Sequence, residues 1–206
     1  MNALRKFRHL ILLCVTCAFV LPVSATPPDE RDRQVLETLL LHLLSDPKFD
    51  VTRVSTNGAT IILDSRTPEK TGFLMSHQIH SEIGSRKLPS DAESDLRRRN
   101  TPLDAKPDTY DSVTAYYTNL SFAAGIVVTN LSDTSRGRGL FTSLRSAHPK
   151  ARGFLDAYLP GYSKDGTRAV VRAGVEPSAH GAMLTAVLEK RGGTWTVVWY
   201  HVAYFA

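Results

Sequence analysis

Cysteine is almost absent from this sequence. Its 206 residues hold two, Cys14 and Cys17, both within the first 25. The rest of the chain can form no disulfide, no thiolate metal site and no cysteine nucleophile. Long apolar runs are scarce too. The longest is "LILLCVTCAFVL", Leu10 to Leu21, about 18 Å as a helix and too short for a bilayer core of about 30 Å. Arg5, Lys6 and Arg8 precede it, Pro22 breaks it, and Val23-Ser24-Ala25 supplies small residues for cleavage. Residues 1–25 therefore read as a cleavable signal peptide. Neither cysteine follows a small residue, so lipid attachment is not expected. A strong charge bias is also missing. The leader takes three basic residues and no acidic one, which lowers the formal balance from +5 to +2. No nucleic-acid surface is expected from that total. No second run of membrane length follows, so residues 26–206 are expected as a soluble, exported domain, periplasmic or secreted.

Reaction motifs are missing as well. No Gly-x-Ser-x-Gly elbow occurs. The glycine-spaced "SRGRG" at 135–139 lacks the lysine and Ser/Thr of a phosphate-binding loop.

What is present is periodicity. Residues 29–45 predict a helix, because Leu36, Leu39, Leu40 and Leu43 share one face. Pro47 stops it, and His42 lies about 120° off the stripe. Asn57-Gly58 predicts a hairpin between strands at 49–55 and 59–64. Short helices are expected at 72–84, at 90–99 with a Ser90/Glu93 capping box, and at 140–149. Residues 100–119 and 135–140 read as loops, and 120–132 as a buried strand. Four runs close the chain, at 153–162, 168–176, 182–190 and 195–205. They are separated by "SKDG", "PSAHG" and "RGGT". Asp165-Gly166 and Gly192-Gly193 are hairpin dipeptides, so these runs predict an antiparallel meander.

Phe141, Pro149 and Gly153, then "PGYSKDGTRAVV" and "LEKRGGTWTVV", with "LPSDAESDLRRRN" upstream at 88–100, resemble a recurring pattern. It is that of uncharacterised exported bacterial proteins with a C-terminal strand–Asp-Gly–strand meander. The resemblance covers roughly residues 59–206. It implies an exported bacterial protein and no particular activity. Those proteins place cysteines and glycines in the loop that here reads "EPSAHGA", and this chain has no cysteine there.

Several constellations are candidates for function. His77 and His80 sit i, i+3, close enough on a helix to share a metal, although a catalytic zinc needs a third ligand. Glu82 lies about 200° from His80 and does not complete the set. His148, His180 or a carboxylate would have to. Arg97, Arg98, Arg99 and Asn100 could grip an anion. The alternative is a solvated helix face with Glu93–Arg97 and Asp95–Arg99 pairs, and Asn100 as a left-handed helix stop. His180 is the tip of a strand connection, or a histidine held at a sheet rim. Trp195, Trp199, His201 and Phe205 should share one face of the last strand, with Tyr200 and Tyr204 on the other. One set belongs to the core. The other could dock a protein or glycan partner in the envelope, which makes Trp199 from one face and Tyr200 from the opposite face the candidates.

The expectation is one α+β domain, with helices on one side of a mainly antiparallel twisted sheet that ends in a β-meander. The leading function is a non-catalytic binding or interaction module without a cofactor. The alternatives are a metal-binding protein or metal-dependent hydrolase using His77 and His80, and an anion or glycan binder.

Overall fold

A computed structural model describes residues 27–49, 58–68, 88–102, 113–131, 143–144, 146–176 and 182–204. The leader, His77, His80, His180, Phe205 and the 72–84 helix lie outside the described residues.

Helix α1 spans Glu30–Ser45. Asp29 caps it: its side chain accepts the Asp32 N–H at 3.0 Å, and the Asp32 side chain accepts the Asp29 N–H at 3.0 Å. This reciprocal box satisfies two otherwise orphaned donors, and such a cap contributes about 1 kcal/mol. Val35, Leu36, Leu39, Leu40 and Leu43 are all buried, each stabilising the fold by about 1.5–3 kcal/mol. Helix α2, Ser90–Asn100, starts differently from expectation. Pro89 is its N-cap and no side chain caps it, so the Ser90/Glu93 box does not form. The Glu93 carboxylate faces Arg97 and Arg172 instead.

Among the described residues, seven strands form one mixed sheet: β1 (Thr60–Asp64), β2 (Ile126–Thr129), β3 (Ala151–Ala157), β4 (Gly161–Tyr162), β5 (Arg168–Glu176), β6 (Ala182–Arg191) and β7 (Thr194–Tyr204). Their order is β2-β1-β3-β5-β6-β7, and β4 continues the line of β3 along β5. The meander is antiparallel, as expected. Its hairpins turn at Gly166 and at Gly192-Gly193, all with positive φ. Two consecutive positive φ values are what a two-residue I′ hairpin between Arg191 and Thr194 requires.

The N-terminal half departs from expectation. β1 runs parallel to both neighbours, β2 and β3. Both its edges are taken, so the hairpin expected at Asn57-Gly58 has no edge of β1 left to bond. Gly58 serves a close approach instead: a Cβ there would lie 2.6 Å from the Arg152 backbone. Ile61 and Leu63 face one core, and Ile62 faces another with Phe154 and Leu144. A strand covered on both faces reads as a continuous apolar run, which suits parallel pairing. The strand expected over 120–132 is the four residues of β2, and the run expected over 153–162 breaks at residues 158–160.

The helices do not share a side. Ala169, Val171, Ala173 and Val175 of β5 pack with α1, whereas Val170 packs with Ala92 and Leu96 of α2. Alternate residues of a strand face opposite ways, so the sheet lies between the two helices. α2 sits almost on the backbone of β4: a Cβ on Gly161 would lie 2.2 Å from Ala92 O and 2.3 Å from Leu96 N.

Candidate functional site

β7 pairs with β6 alone among the described residues, so it forms one rim of the sheet. Its register slips once. Leu188 faces Val197 and Val187 faces Trp199, which leaves Val198 as a β-bulge. The extra residue resets the alternation. Trp195 and Val197 pack into the α1 core, and after the bulge Tyr200 and Val202 do so. Trp199 packs on the α2 side with Val187. Trp195 and Trp199 therefore do not share a face, because a period of two holds only within each half of the strand. Trp199 stacks on His201, with ring centroids 6.3 Å apart and planes 9° apart.

A groove of about 520 Å³ follows this rim. Its floor is Val197 to Val202, and its wall is the end of α1 with His42, Asp46, Lys48 and Phe49. The wall is positioned from both sides. Arg152 of β3 donates to Leu44 O at 2.5 Å, to Phe49 O at 3.3 Å and to Asp46 O. A cation at carbonyls left open by a helix C-terminus is favourable. From β7, the Tyr200 hydroxyl donates to Asp46 Oδ2 at 2.7 Å, and its ring meets His42 edge-on at 5.8 Å. The other oxygen of Asp46 accepts the Lys48 N–H at 2.8 Å. These two donors hold the Asp46 carboxyl below the usual aspartate range. Burial, with the Asp46 carboxylate beside it, pushes the Tyr200 phenol up to about 12.

A second hollow of about 300 Å³ opens on the α2 side, between Leu88 and Pro89, Val187 and Trp199. Val198 and Trp199 line both hollows, so the two meet at the bulge.

The chain matches no family model, no curated protein and no solved structure.

The arginines at 97–99 are drawn apart rather than together. Arg97 pairs with Glu93 at 3.1 Å, as expected. Asp95, expected to pair with Arg99, is taken by Arg98 at 2.6 Å. Arg99 instead reaches past the short strand β4 to α1. It grips Asp32 through two bonds of 2.7 and 2.9 Å and donates to Pro160 O at 2.6 Å. The Tyr162 hydroxyl donates to the same Asp32 at 2.8 Å. Asp32 is fully buried and accepts from all of them. Burial works against charge on Arg99, and the Asp32 carboxylate outweighs it, so its pKa is raised. Asn100 is no left-handed stop. It ends α2 as a helical residue, and its buried side chain bonds Leu96 and Leu159.

His77, His80 and His180 lie outside the described residues. Among the described residues, no three His, Cys, Asp or Glu side chains come together to hold a metal, and no helix is long and apolar enough to cross a membrane. Sequence reasoning missed Asp46, Lys48 and His42 as groove residues. Only Pro47, which follows the end of α1 and lies between Asp46 and Lys48, marked the place.

Proposed function

We propose that this chain is an exported, non-catalytic interaction module that docks an extended polypeptide segment along β7. The observation that carries the reading is the rim strand itself. β7 spans 11 residues, "TWTVVWYHVAY", with no Asp, Glu, Lys or Arg. An open sheet edge is a template for another strand, and proteins that keep an edge solitary usually place charges on it. β7 does not, and it has a groove in front of it where side chains of an added strand would sit. Main-chain bonding to such an edge supplies affinity, and the pockets beside it supply specificity. Trp199 and Tyr200, at the middle of the rim, are residue types that anchor interfaces. Export follows from the leader at residues 1–25 and from the resemblance carried by the C-terminal meander.

A random-peptide display selection on the full-length mature chain tests this, with a Trp199→Ser variant as the counter-target. Enriched peptides should bind the parent and lose affinity for the variant. Methylating their backbone nitrogens at alternate positions should abolish binding in one parity only, because only one parity faces the edge. A selection that enriches nothing over the variant, or peptides indifferent to both methylation patterns, sinks the reading.

A further inference from the structure

We infer that the segment docked at β7 is β7 of a second copy of this chain, paired antiparallel about a two-fold axis near His201. The inference rests on the docking reading above and names its partner.

Three features of the rim suit a copy of itself. The first is the missing charge. A foreign segment can answer charges on a rim with charges of its own, whereas a copy brings only what the rim already has. Residues near a two-fold axis face themselves, and like charges directly opposite are destabilising. β7 carries no Asp, Glu, Lys or Arg over its 11 residues, so no register of β7 against itself sets like fixed charges opposite. The second is the bulge. Trp199 to Tyr204 pair with β6 without a break, and the register slips only at Val198. A bulge disrupts the regular ladder of its strand. The longest unbroken stretch is therefore these six residues, about 20 Å of strand, and Trp199 to Val202 of it line the groove. Its middle lies between His201 and Val202.

The third is the groove wall, which holds one carboxylate, Asp46, and one ammonium, Lys48. Lys48 is exposed, and its ammonium enters none of the ion pairs among the described residues. Asp46 is half-buried and accepts two bonds, from the Lys48 N–H and the Tyr200 hydroxyl, where a carboxylate offers about four acceptor sites. In a continuous antiparallel sheet the two-fold axis stands perpendicular to the sheet. α1 then lies on the same face in both copies, and the two walls come side by side. In such a contact Lys48 turns to the partner's Asp46 and Asp46 to the partner's Lys48. A wall with one charge of each sign is complementary to itself. The pairing also closes. Among the described residues the sheet ends in β7 on one side and in the four residues of β2 on the other. A long uncharged edge is an aggregation site in a lone molecule, whereas very short edge strands are blunt. One two-fold contact removes the long edge and leaves two short ones, so assembly stops at a dimer.

Sedimentation velocity of the mature chain, residues 26–206, tests this together with thiol cross-linking. The sequence has no cysteine beyond Cys17, so a single introduced thiol reports on one position. A dimer that dissociates on dilution is expected. Lys48→Glu sets two carboxylates on each wall and should weaken the dimer about tenfold, since like charges juxtaposed at an interface are repelled. His201→Cys, near the axis, should give a disulfide-linked dimer on mild oxidation. Thr196→Cys, exposed on the far side of the bulge, should not. A chain that stays monomeric up to its solubility limit overturns the inference. If display peptides still bind that monomer with methylation parity, the docking reading stands and the occupant is foreign. A dimer that Thr196→Cys cross-links and His201→Cys does not is joined through another surface, which also overturns the inference. So does a Lys48→Glu variant that dimerises as tightly as the parent, because the walls then do not meet.

Discussion

Asn100 and Leu159 exchange two hydrogen bonds, from Asn100 Nδ2 to Leu159 O at 2.8 Å and from Leu159 N to Asn100 Oδ1 at 2.9 Å. A side-chain amide presents the same donor and acceptor as a peptide group. Asn100 therefore completes the backbone where the line of β3 breaks before β4, and it bonds Leu96 O at 2.7 Å as well.

Replacing Asn100 with Ala strands a buried N–H and a buried carbonyl, each costing about 1–3 kcal/mol. We expect Asn100→Ala to lower stability by about 3 kcal/mol, or roughly 6–12 °C in midpoint. Thermal unfolding monitored by circular dichroism measures it. A change of a degree or less would mean that the break needs no splice.

Asp32 and Arg99 form a buried pair, with side chains 0% and 6% exposed. Removing one partner leaves the other charged and buried, at about 3–5 kcal/mol, whereas an apolar pair of similar volume can be nearly neutral. Asp32→Ala should be severely destabilised, and Asp32→Leu/Arg99→Met should recover much of the loss. Urea unfolding of the single and double variants gives the coupling directly. Additive losses would mean that the two residues act independently.

The Tyr200–Asp46 bond makes the groove wall pH-sensitive at both ends. The Tyr200 phenol is raised to about 12 from its ordinary 10.0. Its contribution is complete below pH 10 and is lost as pH rises through about 12. Asp46 has the opposite sign. Its carboxyl is lowered from 3.8, so its contribution is present above that value and fades as pH falls below it. Tyr200→Phe should delete one late step from the alkaline phenolate absorbance titration. If the step lost is an ordinary one near pH 10, Tyr200 is not held by Asp46.

Deleting Val198 should be tolerated. Val197 faces α1 and Trp199 faces α2, so joining them gives an ordinary alternating strand with both halves in register. We expect a folded protein within about 2 kcal/mol of the parent, in the ordinary range for single changes. Docking at the rim should weaken, because Val198 borders both hollows. A deletion variant that does not fold would show that the bulge relieves a strain the pairing does not reveal.

Much of the local architecture was legible. The leucine stripe of α1 lies within two helical turns, and Asp165-Gly166 and Gly192-Gly193 turn the chain where they stand. What escaped depends on distance along the chain. Asp32 and Arg99 lie 67 residues apart, and Asp46 and Tyr200 lie 154 apart. No spacing rule links such positions. The parallel pairing of β1 escaped because an apolar run just after a turn dipeptide suits a hairpin equally well. The bulge escaped because Val197 and Val198 are the same residue type, and nothing local says which of them lacks a partner. The groove inherits both failures, since it exists only where the end of α1 meets the second half of β7.

The place of β1 sets an order of assembly. Its residues lie early in the chain, and both of its hydrogen-bonded neighbours come much later. A chain that emerges N-terminus first presents β1 with neither hydrogen-bonded neighbour until β2 has appeared and with only one until β3 follows, whereas the hairpins from β5 to β7 close over short loops. The meander is then the platform on which the N-terminal half is laid down last. A chain cut short before β3 keeps one bare edge on its apolar central strand and the uncovered leucine face of α1. The species most prone to aggregate is therefore the incomplete chain rather than the unfolded whole one.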